Sequence, residues 1–296
     1  MKKNISKYYL LKKYLKIGEE VFFRALMLIS TCIIVIALFL IIYSIIKKGL
    51  PSVTIEMLTQ TPKGGFYFGK EGGILNAIIG SLYLSIGATF LALIISLPVA
   101  LYMNTFLINR KKIVEAIRFV LDLLWGIPSI VYGAFGFTLM IFLGIKASLL
   151  AGIIVVALLI IPIMIRAMDE GLKTVPIGLL ESSISLGSTK SEIAFSVYIK
   201  QSMPCIITAI LLSFGRGIGD AASVLFTTGF TDRIPTSLTQ QTATLPLSIF
   251  FQLTSPIPEV KNRAYAAAFI LTVIILIISI SSRILSNKYK KHIIKF

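Results

Sequence analysis

The chain is 296 residues long, 56% hydrophobic and 14% charged, with a mean hydropathy of +0.90, a balance that excludes an ordinary soluble domain. Several apolar runs exceed the ~18 residues that mark a membrane-spanning helix. The formal net charge of +16 invites a nucleic-acid reading, but its placement along the chain assigns it to membrane topology instead.

Residues 1–24 form a basic tail, with Lys2, Lys3, Lys7, Lys12, Lys13, Lys16 and Arg24 against Glu19 and Glu20. The apolar run 25–46 is longer than a signal-peptide core and lacks a small-residue cleavage site, so an uncleaved first span is expected. Residues 47–73, polar and rich in Gly, Pro and aromatics, are expected to form an extracytoplasmic loop. The second apolar run, 74–107, contains Pro98 and is longer than one crossing needs, so it must tilt or begin outside the bilayer. After a basic patch at Arg110, Lys111, Lys112 and Arg118, a third span is expected at 119–145, holding Asp122 and Pro128. A fourth follows at 147–165 with Pro162, a fifth at 204–230 and a sixth at 264–285. The stretch 231–263 is more polar, and 286–296 is a second basic tail.

Between spans four and five lies a polar island, residues 166–203. Pro176 suits the first turn of a short helix, along which Ile177, Leu180 and Ile184 recur at helical spacing. Gly187 stands where a left-handed cap would end it. Thr189 and Glu192 have the spacing of a capping box that opens a second helix toward Ile199. Two short helices around a glycine turn are more structure than a simple connector requires.

Six spans put both termini on one side. Lys and Arg number 20 on the side of the termini and the island and 8 on the other. The positive-inside rule makes the richer side cytoplasmic. Cys32 and Cys205 lie in apolar runs without metal-ligand spacing, and His292 lies in the basic tail, so no metal site is expected. Gly64, Gly69 and Lys70 imitate most of a phosphate loop, but Glu71 replaces the hydroxyl residue that would meet magnesium. With no catalytic constellation on the chain, energy must come from a partner or an ion gradient.

Arg216 and Asp220 are the costly residues of the fifth span. Helical spacing puts them on one face as an i, i+4 pair, and a charge within a bilayer normally faces protein or water. Gly215 and Gly219 share that spacing and are expected to admit a close helix neighbour. Arg166 is either a second cationic station or an interface anchor.

The island resembles the coupling loop of ABC importer permeases, whose signature is E-A-A, three residues, Gly, nine residues and I-x-L-P. Glu181, Ser182 and Ser183 take the first positions, Gly187 the glycine, and Val197 and Ile199 the aliphatic ones, while Lys200 replaces the proline. GGILNAIIGSLYLS from Gly72, WGIPSIVYGAFGF from Trp125, GRGIGDAASVLFTTGF from Gly215 and TLPLSIFFQLTSP from Thr244 are similar to the A-type permease subunits of phosphate importers. The resemblance implies an all-α, six-span type I ABC permease fold over residues 74–285, in the cell membrane. It implies a heterodimer with a C-type permease, two ATP-binding subunits docked on the coupling loop, and an extracytoplasmic phosphate-binding protein. The chain itself would carry no enzyme activity and no cofactor, and nucleic acid has no part. Arg216 and Asp220 map onto an arginine and an acidic residue implicated in transport in that family; the family usually has Glu at the second position. Permeases for molybdate or sulfate share the architecture, an ion-coupled secondary transporter would lack a use for the coupling loop, and a membrane hydrolase would need a nucleophile or metal cluster.

Overall fold

In the computed structural model, residues 2–63 and 71–290 are described. The phosphate-loop imitation at Gly64, Gly69 and Lys70 and the histidine at 292 lie outside the described residues. The first helix, α1 (Lys2–Gly49), continues unbroken through residue 24 and is 48 residues long, about 72 Å at 1.5 Å per residue. Residues 16–43 are exposed along their whole length. α1 meets the rest of the chain at its C-terminal end, where a Cβ on Gly49 would lie 2.5 Å from the Tyr265 carbonyl oxygen. A short helix, α2 (Ile55–Thr59), and an antiparallel pair of two-residue strands, β1 (Pro62–Lys63) and β2 (Glu71–Gly72), complete the first connector.

The core is built on α3 (Leu75–Thr105) and α6 (Leu149–Leu172). Along α6, Val156, Ile160, Met164 and Met168 recur every fourth residue and are fully buried. Against them α3 offers Ala88, Ala92, Ser96 and Ala100 at the same period, also fully buried. Small residues on one helix let the backbones approach, and the large ones on the other fill the groove.

The third expected span is two helices. α4 (Lys111–Gly126) and α5 (Ser129–Leu143) meet at 93°. Pro128 keeps Ile127 extended, at φ −70° and ψ 129°, because its ring disfavours helical geometry in the residue before it. Among the described residues, five single helices are long and apolar enough to cross a membrane, and the bent pair makes the expected six.

After the three-residue α8 (Lys190–Glu192) comes a π-helical turn, Ile193–Tyr198, which runs into α9 (Ile199–Gly219). The fifth span therefore starts earlier than expected and stops at Gly219 rather than near residue 230. Beyond it, the irregular chain 220–244 is used to cap α6. Ser148 is the N-cap, its hydroxyl accepting from the Ala151 amide. The Ser148, Leu149 and Leu150 amides donate to the carbonyls of Thr227, Gln240 and Leu238 at 3.0, 2.8 and 2.8 Å. These are the amides a helix start leaves without internal partners.

The polar connector expected at 231–263 holds α10 (Leu245–Leu253), whose Leu245, Pro246 and Leu247 are buried. Thr244 caps it, and the Leu245 amide donates to the Ser81 hydroxyl of α3 at 2.7 Å. The last helix, α11 (Pro258–Lys290), packs on α9, α10 and the end of α1.

At Gly80 of α3 a Cβ would collide with the Ala243 carbonyl oxygen and the Thr242 hydroxyl, whereas Gly18 of α1 has open space around it. Gly80→Val is expected to destabilise the protein by about 1–3 kcal/mol, as overpacking does, and to lower its melting temperature in detergent. Gly18→Ala leaves that temperature unchanged or raised.

Candidate coupling surface and translocation residues

α7 (Ile177–Ser185) occupies the polar island, with Pro176 as its N-cap. Its end is a Schellman motif: the Gly187 amide donates to the Ile184 carbonyl at 2.9 Å and the Ser188 amide to the Ser183 carbonyl at 3.0 Å. Gly187 has φ +81°, the left-handed region that favours glycine. Its would-be Cβ meets nothing within 4 Å, so the requirement for glycine comes from the backbone alone. The capping box follows as expected: the Thr189 amide donates to Glu192 Oε2 at 2.7 Å, and the Glu192 amide to Thr189 Oγ1 at 3.3 Å.

Ser182, Ser183 and Ser185 turn their hydroxyls onto the carbonyls of Gly178, Leu179 and Glu181, four residues back, at 2.7, 2.7 and 2.9 Å. Those hydroxyl protons are thus spent inside the helix, beside a set of exposed aliphatic side chains. Ile177, Ile184 and Leu186 are 70%, 62% and 86% exposed. Glu181 and Ser182 are exposed and Ser183 half-buried. A short helix stopped at both ends, presenting bare aliphatic side chains, has the character of a docking knob. Beside it a cavity of about 480 Å³ is lined by Asn104, Ile108, Leu180, Ile184 and Tyr198, among others.

Above α7 lies an ion cluster that the sequence reading missed. The Asp169 side chain is fully buried. Arg118 of α4 grips it bidentately, Nε to Oδ2 at 2.9 Å and Nη2 to Oδ1 at 3.0 Å. Asn104 of α3 donates to Oδ1 at 2.9 Å, Arg166 to Oδ2 at 3.1 Å, and Lys173 lies 3.3 Å from Oδ2. Arg166 also bonds Asp122 at 2.7 Å and lies 3.3 Å from Glu170, to which Lys173 donates at 2.7 Å. Three cations and three carboxylates thus neutralise one another, satisfying a carboxylate that would be costly to bury alone. The spacing of Arg166, Asp169, Glu170 and Lys173 along one helix face is a sequence signal for part of this cluster; Arg118 and Asn104, from other helices, have none. The Arg166 guanidinium is thus shared among Asp122, Asp169 and Glu170.

Arg216 and Asp220 do not form the expected i, i+4 pair. The helix ends at Gly219, and Asp220 is its C-cap with extended backbone, φ −84° and ψ 123°. Its buried carboxylate accepts from the Ser223 amide at 2.8 Å, starting the irregular segment. Arg216 is exposed on α9. Gly215, expected to admit a neighbouring helix, has nothing within 4 Å, and Gly219 has only Ile275 at 3.9 Å. Close approaches are made elsewhere: a Cβ on Gly133 of α5 would lie 2.8 Å from the Ala222 carbonyl oxygen, and one on Gly136 would collide with Val155. Lys200, in place of the signature proline, lets α9 continue with its backbone amide intact.

Residues 96–291 match the family described as binding-protein-dependent transport system inner membrane component. The chain belongs to that family. The phosphate transport system permease protein PstA of Yersinia pestis is 34% identical over 254 residues, covering 85% of this chain and 84% of that protein. The protein of the same name from Haemophilus influenzae is 31% identical over 248 residues, covering 82% and 85%. A chain of the inward-facing methionine ABC transporter MetNI shares the fold with a TM-score of 0.61 at 17% identity, over 73% of this chain and 95% of that one. As an inner membrane component with five or six spans, this chain is a multi-pass protein of the cell membrane.

In this transport-system component, Gly187→Val forces a β-branched residue into left-handed backbone, at a cost of about 1–2 kcal/mol. Amide hydrogen exchange at residues 187 and 188 is expected to quicken about tenfold, with the melting temperature of the spans unchanged.

Proposed function

We propose that this chain is the membrane permease subunit of an ATP-driven importer of inorganic phosphate. It forms half of the translocation pathway beside a related C-type permease. Two ATP-binding subunits dock on α7 and its neighbours, and an extracytoplasmic binding protein delivers the anion. The family membership and the relatives named as phosphate transport permeases support the substrate, and the bare apolar face of α7 supports the docking role. The excess of Lys and Arg at the α7 end of the bundle supports a cytoplasmic position for that end and for both termini.

In this mechanism ATP-driven closure of the partner subunits moves α7 through Glu181, Ser182, Ser183 and Gly187. The bundle then alternates between outward- and inward-facing states, and phosphate passes unchanged. Arg216 offers the anion a guanidinium that no carboxylate of the described residues neutralises, the property an anion station needs. Asp220 acts through the backbone, ending α9 and turning the chain beside Arg216. Arg166 borders the pathway as an anchor. The observation that carries the proposal is the exposed aliphatic knob of α7, held by a left-handed glycine between two fixed stops.

The test is phosphate uptake by cells lacking the native chain and supplied with variants, with arsenate and molybdate as competitors. Arg216→Gln is expected to lower uptake at limiting phosphate at least tenfold with the complex still assembled. Gly187→Arg abolishes uptake and binding-protein-stimulated ATP hydrolysis while the chain still inserts. Unchanged uptake in Arg216→Gln leaves the arginine a packing role, and uptake blocked by molybdate rather than arsenate moves the substrate to another oxyanion.

A further inference from the structure

Two features lie beside α7 at this end of the bundle: the Asp169 cluster and the π-helical turn at the foot of α9. They are connected. Asn104 donates its side-chain amide to Asp169 at 2.9 Å and to the Ala100 carbonyl at 2.9 Å. Its backbone carbonyl, at the C-terminal end of α3, accepts the Tyr198 hydroxyl at 2.9 Å. Tyr198 is 4% exposed and closes the turn Ile193–Tyr198. Four residues on, the Ser202 hydroxyl reaches the Gly171 carbonyl of α6 at 3.4 Å.

On the other side, Asp169 is tied to α7 by a short link. Lys173 caps α6 and lies on both Asp169 and Glu170. Leu172 and Val175 are buried, and Pro176 opens α7 directly after them. A displacement of α7 is therefore passed to the last turn of α6 or breaks the cluster. A π-helical turn holds one residue more than the α-helical turn it replaces and recurs at functional sites. Conversion to α geometry rotates everything beyond it by about 100° and shifts it by about 1.5 Å. The element directly beyond it here is α9, which carries Arg216.

We propose that Asp169, Asn104 and Tyr198 form a relay that sets the register of this turn and so transmits the position of α7 to the Arg216 end of α9. The three are positioning residues; none touches the anion. The cluster holds α6, α4 and α3 together while the turn is π-helical. Movement of α7 loosens the cluster's hold on the end of α3, the bond from Tyr198 to the Asn104 backbone carbonyl is lost, and α9 rotates. This inference rests on the importer reading for its direction, from ATP-binding subunit to pathway.

The test uses the complete importer in proteoliposomes and reads phosphate moved per ATP hydrolysed. Tyr198→Phe removes one hydroxyl and keeps the ring, so the fold survives even where Asp169→Asn weakens it. Tyr198→Phe is expected to lower the ratio at least about threefold and to speed amide exchange across residues 193–198. Adding Tyr198→Phe to Asp169→Asn lowers the ratio no further, because both cut one relay. An unchanged ratio in Tyr198→Phe overturns the proposal, and so do losses that simply multiply in the double variant, which mark two independent packing roles. If the unaltered importer carries another anion, the substrate reading falls, and the same ratio measured with that anion decides the relay.

Discussion

A bilayer offers no water to a bare amide or carbonyl, so irregular chain at membrane depth must find all its partners inside the protein. The stretch after Gly219 is the place where this fold meets that demand. Ser223 lies beside Gly133, well short of the end of α5, and the chain there has already left the helix. It is tolerated because it pays twice: its carbonyls close the N-terminus of α6, and the Asp220 carboxylate takes up the Ser223 amide. The price is space, which is why Gly133 and Gly136 on α5, Gly152 on α6 and Gly80 on α3 all face this segment or its neighbours at distances that leave no room for a side chain.

The parts of this architecture that the sequence announces are those governed by neighbours in the chain. The Gly187 stop and the Thr189–Glu192 capping box each depend on a few consecutive residues, and their chemistry is visible without coordinates. Pro128 lies inside a run that reads as one span, because α4 and α5 are both apolar and hydropathy does not register the 93° bend between them. The end of α9 was misjudged for a related reason. The run from Ser223 to Phe230 is apolar enough to continue a span, and hydropathy does not distinguish a helix from chain buried by other helices. Likewise α10 was hidden because a nine-residue apolar segment is too short to register as a crossing. Its Thr-Leu-Pro start carried the cap all the same.

Electrostatics divides the candidate residues in a way that position alone did not. Arg166 and Arg216 are both arginines on spanning helices, yet one is enclosed by Asp122, Asp169 and Glu170 and the other is exposed. A guanidinium already shared among three carboxylates has little left for a transported anion. The buried carboxylate at 169 draws its donors from α3, α4 and α6, so losing any one of them leaves charge stranded in low dielectric. This is the kind of arrangement that tolerates two complete geometries better than a graded series between them.

The bareness of α1 bears on how the chain is made. From residue 16 to residue 43 it is exposed against the described residues, and it meets α11 near Gly49. A helix that is stable in lipid without tertiary contacts needs nothing synthesised after it in order to insert. α1 is thus ready to leave the translocon and settle in the bilayer while the remaining spans are still emerging. The rest of the bundle is not so free. α6 cannot bury its capped N-terminus until residues 227–240 exist, so its final seating must wait for nearly the whole protein.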